Sequence, residues 1–261
     1  MALATADSGD AGRPALLYAG TEPSAIYQSS DGGDTWHPLP GLLSLTSAGE
    51  WSFPPRPETH HVRQILSDPC FPWRLHVAIE AGALLRSEDG GETWRDRVPG
   101  GPRDTHTLAA HRSAPGRLYS AAGDGYFESL DDGDTWRRIM EGLDHGYCWS
   151  VAVSRSDPDT VLLSASKSPR AAHSKEFANS AVYRRSAHEP WRKALDGLPD
   201  PEGRRVPVLA RSDIEPAVFY LPSEGELYRS ANSGAEWQKL TVDWAERCSP
   251  QHASDIAVVE S

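Results

Sequence analysis

The chain has 261 residues and a formal net charge of −11, which argues against nucleic acid or an anionic membrane surface as its main partner. Nine Trp, 22 Gly and 21 Pro suit one domain of short strands and many turns, spanning 1–261, with no apolar run long enough for a membrane helix. Cys70, Cys148 and Cys248 are odd in number and lack metal spacing, and MALATADSGDAGRP carries no basic stretch followed by an apolar core; free thiols, no leader and a cytoplasmic location are expected.

In chain order, residues 1–14 are expected to be extended or disordered. Leu16–Ala19 and Ala25–Gln28 read as strands around a turn, and the octet Ser29–Trp36 (SSDGGDTW) leads into a returning strand at Trp36–Leu39. A long link, Gly41 to His61, precedes a strand at Ile65, and the octet recurs as Ser87–Trp94 (SEDGGETW). The next unit is the clearest: strands at Thr105–Ala110, Arg117–Ala122, Tyr126–Leu130 and Thr135–Ile139, with the octet Ser129–Trp136 (SLDDGDTW) between the last two. A strand at Val151, an insertion from Ser166 to Ser180 and a worn octet ending at Trp191 follow. The last unit has a strand at Val208 and the copy Ser230–Trp237 (SANSGAEW), with Asn232 in the Asp place and Glu236 in the Thr place. Asp255–Val259 remains as an unpaired apolar strand.

The octet is built for a turn. Its glycines take positive φ, its Asp side chain can accept backbone N–H bonds, its Thr suits the returning strand, and its Trp offers a large face to a neighbouring sheet. Each unit is one supersecondary module that cannot bury its own faces, so the repeat implies stacking. The pattern resembles the Asp-box, or BNR repeat, of sialidases, sortilin-type receptors and bacterial β-propellers. That resemblance implies an all-β propeller with the octets at the turn between third and fourth strands, on the rim away from the ligand face. Trp36, Trp94, Trp136, Trp191 and Trp237 are spaced as units of roughly fifty residues would be. The expectation is a five-bladed β-propeller whose ring is closed when the C-terminal strand completes blade one, which removes free edges.

In such a fold the links between blades and the turns between second and third strands share one face, which places the two long insertions together. Aligning the first strands on Ile65, Leu108, Val151, Val208 and Ile256, a period of two puts Arg63, His106 and Trp149, then His61, Asp104, Tyr147, Arg204 and His252, at a channel mouth. The candidate catalytic set is His61, His106, Asp104, Tyr147 and His252. The candidate ligand-binding set is Trp51, Arg63, Trp149, Arg170, His173, Arg204, Glu22 and Glu80. His61, His106 and His252 with Asp104 could hold a divalent transition metal as cofactor; metal-free acid–base work and binding alone stay open beside it. The leading expectation is a propeller that binds a small anionic or glycan-like molecule in its funnel, with a hydrolase or lyase version at the His/Asp set. The alternative is a non-catalytic protein-interaction scaffold. The Arg-Ile-Pro segment implied by a sialidase resemblance is missing, so sialidase chemistry is not expected, and there is no GxSxG, P-loop or dinucleotide motif.

Overall fold

The computed structural model describes residues 2–6, 15–244 and 252–258. Its strands form five antiparallel sheets, each laid down in chain order. The first holds β1 (Ala2–Ala6), β2 (Leu16–Gly20), β3 (Ile26–Ser29) and β4 (His37–Pro38). The second holds β5 (Val62–Ser67), β6 (Leu75–Ile79) and β7 (Ala83–Ser87), its fourth strand reduced to a bridge between Arg86 and Arg95. The third comprises β8 (Thr105–Ala110), β9 (Leu118–Ala122), β10 (Gly125–Ser129) and β11 (Arg137–Arg138). The fourth comprises β12 (Tyr147–Val153), β13 (Thr160–Ser166), β14 (Ser180–Ser186) and β15 (Arg192–Lys193). The fifth comprises β16 (Ala210–Arg211), β17 (Phe219–Ser223), β18 (Glu226–Ser230) and β19 (Gln238–Leu240). These are the five blades of a β-propeller. The packing divides into two compact units, residues 1–122 with 127–137 and residues 123–126 with 138–261.

Inner strands are apolar because both their faces are covered. Every residue of β12 and β13 is buried, so neither strand shows the alternation of a half-solvated sheet. In the first unit Tyr18, Val62, Leu75, Val77, Ile79 and Leu85 form one core cluster. In the second, Leu162, Phe219, Leu221 and Trp237 anchor another.

The repeated octet is a self-contained hydrogen-bond knot. The Ser29 hydroxyl donates to Asp31 Oδ1 at 2.7 Å and accepts from Gly33 N at 2.9 Å; Asp31 Oδ1 also accepts from Thr35 N at 2.9 Å. The same bonds recur at Ser87–Asp89–Thr93 and Ser129–Asp131–Thr135. In four of the five copies two successive residues have positive φ, and the second is Gly: 99° at Gly33, 98° at Gly91, 91° at Gly133 and 78° at Gly234; the eroded copy of blade four has Ala187 alone, at 50°. In the worn copy Asn232 Oδ1 still accepts from Ser230 Oγ and Glu236 N.

Three of the tryptophans tie their blade to the one before. The indole of Trp94 donates to the Pro40 carbonyl at 3.1 Å, Trp191 to Ile139 at 3.2 Å and Trp237 to Ala194 at 3.2 Å. Trp36 and Trp136 instead donate within their own turns, to Gly33 and Gly133.

Two expectations about the ends are corrected. The first strand of blade one is β1, paired from Ala2↔Gly20 to Ala6↔Leu16; residues 2–6 are therefore a sheet strand. Residues 255–258 form no strand, and Val259 lies outside the described residues, as does Cys248. The Ile256 side chain is used in another way, packing against the cluster of Tyr147, Trp149, Val206 and Val208. Cys70 and Cys148 are free thiols, as expected, with burial pushing Cys148 up to about 12. Among the described residues no helix is long and apolar enough to cross a membrane.

Candidate functional site

The first strands of blades two, three and four share an irregularity. The pairing register shifts between Val62 and Gln64, between Thr105 and Thr107, and between Cys148 and Ser150. The extra residue is Arg63, His106 and Trp149 in turn. A bulge inserts one residue and re-aims its side chain, so the two-residue alternation used to align the site residues breaks at these positions. Within each unit, several of the candidates nevertheless come together.

The first group lies in the first unit. The link before β5 folds through two short 3-10 turns at 42–44 and 46–50. Ser47 fastens it by donating its backbone N–H, at 2.8 Å, and its hydroxyl to Asp96. Trp51 is only 5% exposed, donates to Ser47 Oγ at 2.9 Å and would contact a Cβ on Gly82. It is packed as a core residue, although the sequence places it in the candidate ligand-binding set. Phe53 is the aromatic that reaches the site. Its ring stands edge-on to His61 at 4.8 Å, and the Arg56 guanidinium lies 5.3 Å above it while pairing with Glu22 at 2.7 Å.

His61 Nε2 meets Glu80 Oε2 at 2.8 Å, and Arg63 Nε lies 3.6 Å from the same oxygen. Glu80 follows β6 in a tight turn where Ala81 has a φ of 52°, and Ala81 donates its N–H to Asp104 Oδ1 at 2.8 Å. His106, its side chain fully buried, places Nε2 3.5 Å from Asp104 Oδ2. One donor atom each from Glu80, Asp104 and His106 lie within 4.8 Å of one another. Burial works to raise the Glu80 carboxyl, but the hydrogen bond with His61 and the charges of His106 and Arg63 outweigh it and hold the group below its ordinary value. Glu80 is thus an ionised acceptor near neutral pH.

The second group lies in the second unit. Tyr147 and Trp149 stack at 6.2 Å with 23° between their planes, and His173 stands edge-on to Trp149 at 4.5 Å. His173 ends the short α1 (Pro169–His173), which Ser168 caps by accepting from Ala171 N. The Tyr147 hydroxyl lies 3.3 Å from His173 Nε2, and His252 Nε2 lies 3.4 Å from His173 Nδ1. Ala253 and Ile256 pack over the aromatic pair, so Tyr147 and Trp149 are buried. Burial, then the nearby Arg205, lowers the His252 imidazole against a smaller opposing pull from Glu224.

His252 lies beside His173, and the ligand-spaced group that holds His106 is made with Glu80 and Asp104. Arg204 pairs with Glu226 at 3.1 Å, and Arg170 lies 3.6 Å over the Phe177 ring. Arg205, which the alignment passed over, is the arginine near His252; it forks onto Glu224 with two bonds of 2.8 Å. Phe53 sits in the aromatic and proline stretch Trp51–Pro57 that marks the link as unusual.

No family model matches the chain. It is 26% identical to a xyloglucanase from a Paenibacillus species over 159 residues, which is 56% of this chain and 14% of that enzyme. The chain thus spans about one seventh of the length of that relative. Among solved structures, it is similar to a GH74 enzyme from Niastella koreensis, with a TM-score of 0.64 and 17% identity over 85% of this chain and 36% of that one. It is also similar to YCF48 bound to D1 peptide, with a TM-score of 0.54 and 19% identity over 86% of this chain and 63% of that one. At these identities the structural likeness is one of fold, and it agrees with the five sheets: the chain is a β-propeller akin in architecture to blades of GH74 enzymes and of YCF48.

Proposed function

We propose that the chain is an Asp-box propeller that binds a glycan at the Phe53–His61–Arg63–Glu80–Asp104 group. The observation that carries the reading is an ionised carboxylate, Glu80, held between His61 and Arg63 with an aromatic ring alongside. Fixed acceptors and donors beside an apolar face suit a ring of hydroxyls with C–H faces. The sequence likeness to xyloglucanases supports the same ligand class.

Binding is favoured over hydrolysis at this group. Glycosidases set their two carboxyl groups about 5–5.5 Å or about 6.5–9.5 Å apart and raise the pKa of the acid. Here Glu80 is held below its ordinary value, the opposite of what a general acid needs. Titration with xyloglucan oligosaccharides in the presence of chelator tests the reading. Saturable binding that Glu80→Gln weakens about tenfold, or about 1.4 kcal/mol, is expected. Binding that ignores the substitution, or no binding, removes the proposal, and release of reducing ends would restore the hydrolase version.

The scaffold reading keeps one specific support. The segment 252–256 of the chain itself lies on the Tyr147–Trp149–His173 surface, and the similar YCF48 structure is bound to a peptide. Failure of every glycan, with capture of a protein partner lost on Tyr147→Ala, would favour it.

A further inference from the structure

We infer that Glu80, Asp104 and His106 form a binding site for a first-row divalent cation of the Zn²⁺ or Mn²⁺ kind, with His61 supporting Glu80. The inference shares Glu80, Asp104 and His61 with the glycan reading and goes beyond it, since it concerns an ion held by the protein's own side chains.

Three donors from three chain segments converge. Glu80 follows β6, Asp104 precedes β8 and His106 lies at the β8 bulge, and the geometry that joins them is built into the backbone. The positive φ of Ala81 turns its N–H onto Asp104 Oδ1, fixing that carboxylate, and the register shift at His106 sets the imidazole. Two carboxylates and an imidazole make a mixed oxygen and nitrogen donor set. That set suits Zn²⁺, Mn²⁺ or Fe²⁺, whereas Ca²⁺ and Mg²⁺ favour oxygen alone.

A second observation is independent of the spacing. Nδ1 of His61 is buried and finds no hydrogen-bond partner among the described residues, while Nε2 is engaged with Glu80. Buried polar atoms without a partner are rare and call for a missing species such as a water or an ion. Ligating carboxylates are themselves held by outer hydrogen bonds, as Glu80 is by His61.

The only other ligand-spaced group among the described residues, Asp68, His76 and Asp132, is a useful contrast. There Arg74 Nη1 sits 2.6 Å from Asp132 Oδ1, and Asp68 Oδ1 already accepts from the N–H groups of Cys70 and Phe71. A resident cation and two backbone donors engage the two carboxylates of that group, while His76 Nε2 is buried with no hydrogen-bond partner among the described residues. At Glu80 the corresponding positive charge, Arg63, stands off at 3.6 Å.

The test uses the full chain stripped with chelator and titrated with Zn²⁺ and Mn²⁺ by calorimetry, with Mg²⁺ and Ca²⁺ as controls. One saturable site is expected, at least tenfold tighter for Zn²⁺ or Mn²⁺ than for Ca²⁺. The near-isosteric Asp104→Asn should weaken it at least tenfold, and Arg63→Gln, which removes a competing charge, should tighten it. Co²⁺ gives a readout that needs no variant: visible bands that shift in Asp104→Asn and persist in Asp68→Asn place the ion. Absence of saturable binding, or binding indifferent to Asp104→Asn in a folded variant, overturns the inference. Because the oligosaccharide titration is run in chelator, its failure and a failure here are read separately.

Discussion

Asp89 accepts the hydroxyl and the backbone N–H of Thr93, and these bonds, with Ser87 and against a small burial effect, hold its carboxyl down at about 2. The group is exposed, so its worth is that of hydrogen bonds to a solvated carboxylate. Asp89→Ala should cost about 1 kcal/mol in denaturant titrations near pH 6. A depressed folded pKa means that the contribution is present above about pH 4 and fades as pH falls through about 2. The gap between variant and parent should therefore close toward pH 2; a gap that stays constant would show that the carboxylate charge plays no part. His76 in β6 titrates on the other side of the scale. Burial first, and then Arg86 and Arg74, push it down to about 3. The unfolded chain takes up a proton near pH 6.5 that the native one refuses, so stability should fall from about pH 6.5 toward pH 3 at up to roughly 1.4 kcal/mol per unit. His76→Gln should flatten the upper part of that decline in pH-dependent melts, and an unchanged slope would count against a neutral, buried His76. At this scale the sequence showed residue types and missed partners. His61, Asp104 and His106 could be read from the alignment of strands, but Glu80 as their common neighbour depends on a tight turn at Ala81 that no local pattern signals.

The strands themselves were legible because the octet marks the same turn in four blades, with an eroded remnant ending at Trp191 in the other. Blade three is found where its periodicity places it, at β8 to β11. The ends were not legible. Ile-Ala-Val-Val near the C-terminus has a stronger strand composition than Ala-Leu-Ala-Thr-Ala in β1, yet hydrogen bonding to β2 decides the matter for the weaker segment. Bulges escape for a related reason: one inserted residue shifts every later side chain without changing composition. The octet tryptophans, alike in sequence, also differ by position. Trp237 is 2% exposed and bonded to Ala194, whereas Trp36 is 36% exposed and bonded only within its own turn. Trp237→Ala should cost about 3–5 kcal/mol and Trp36→Ala under about 1 kcal/mol by thermal or denaturant unfolding. Equal losses would mean that the blade-to-blade bond is not what the indole contributes.

Every sheet of the molecule is drawn from one continuous stretch of chain, β1 to β4 within residues 2–38 and β16 to β19 within residues 210–240. Ladder formation then asks for short loop closures only, which lowers the entropic barrier that slows most all-β proteins. The cross-blade indole bonds add a direction to this. Trp94, Trp191 and Trp237 each donate to a carbonyl that lies earlier in the chain, and the backbone N–H groups of Trp191 and Trp237 do the same to Glu141 and Asp196. On a ribosome the N-terminal part of the chain emerges first, so each acceptor is already outside the exit tunnel when its donor arrives. A newly made blade finds its dock waiting, and the order of synthesis becomes the order of assembly.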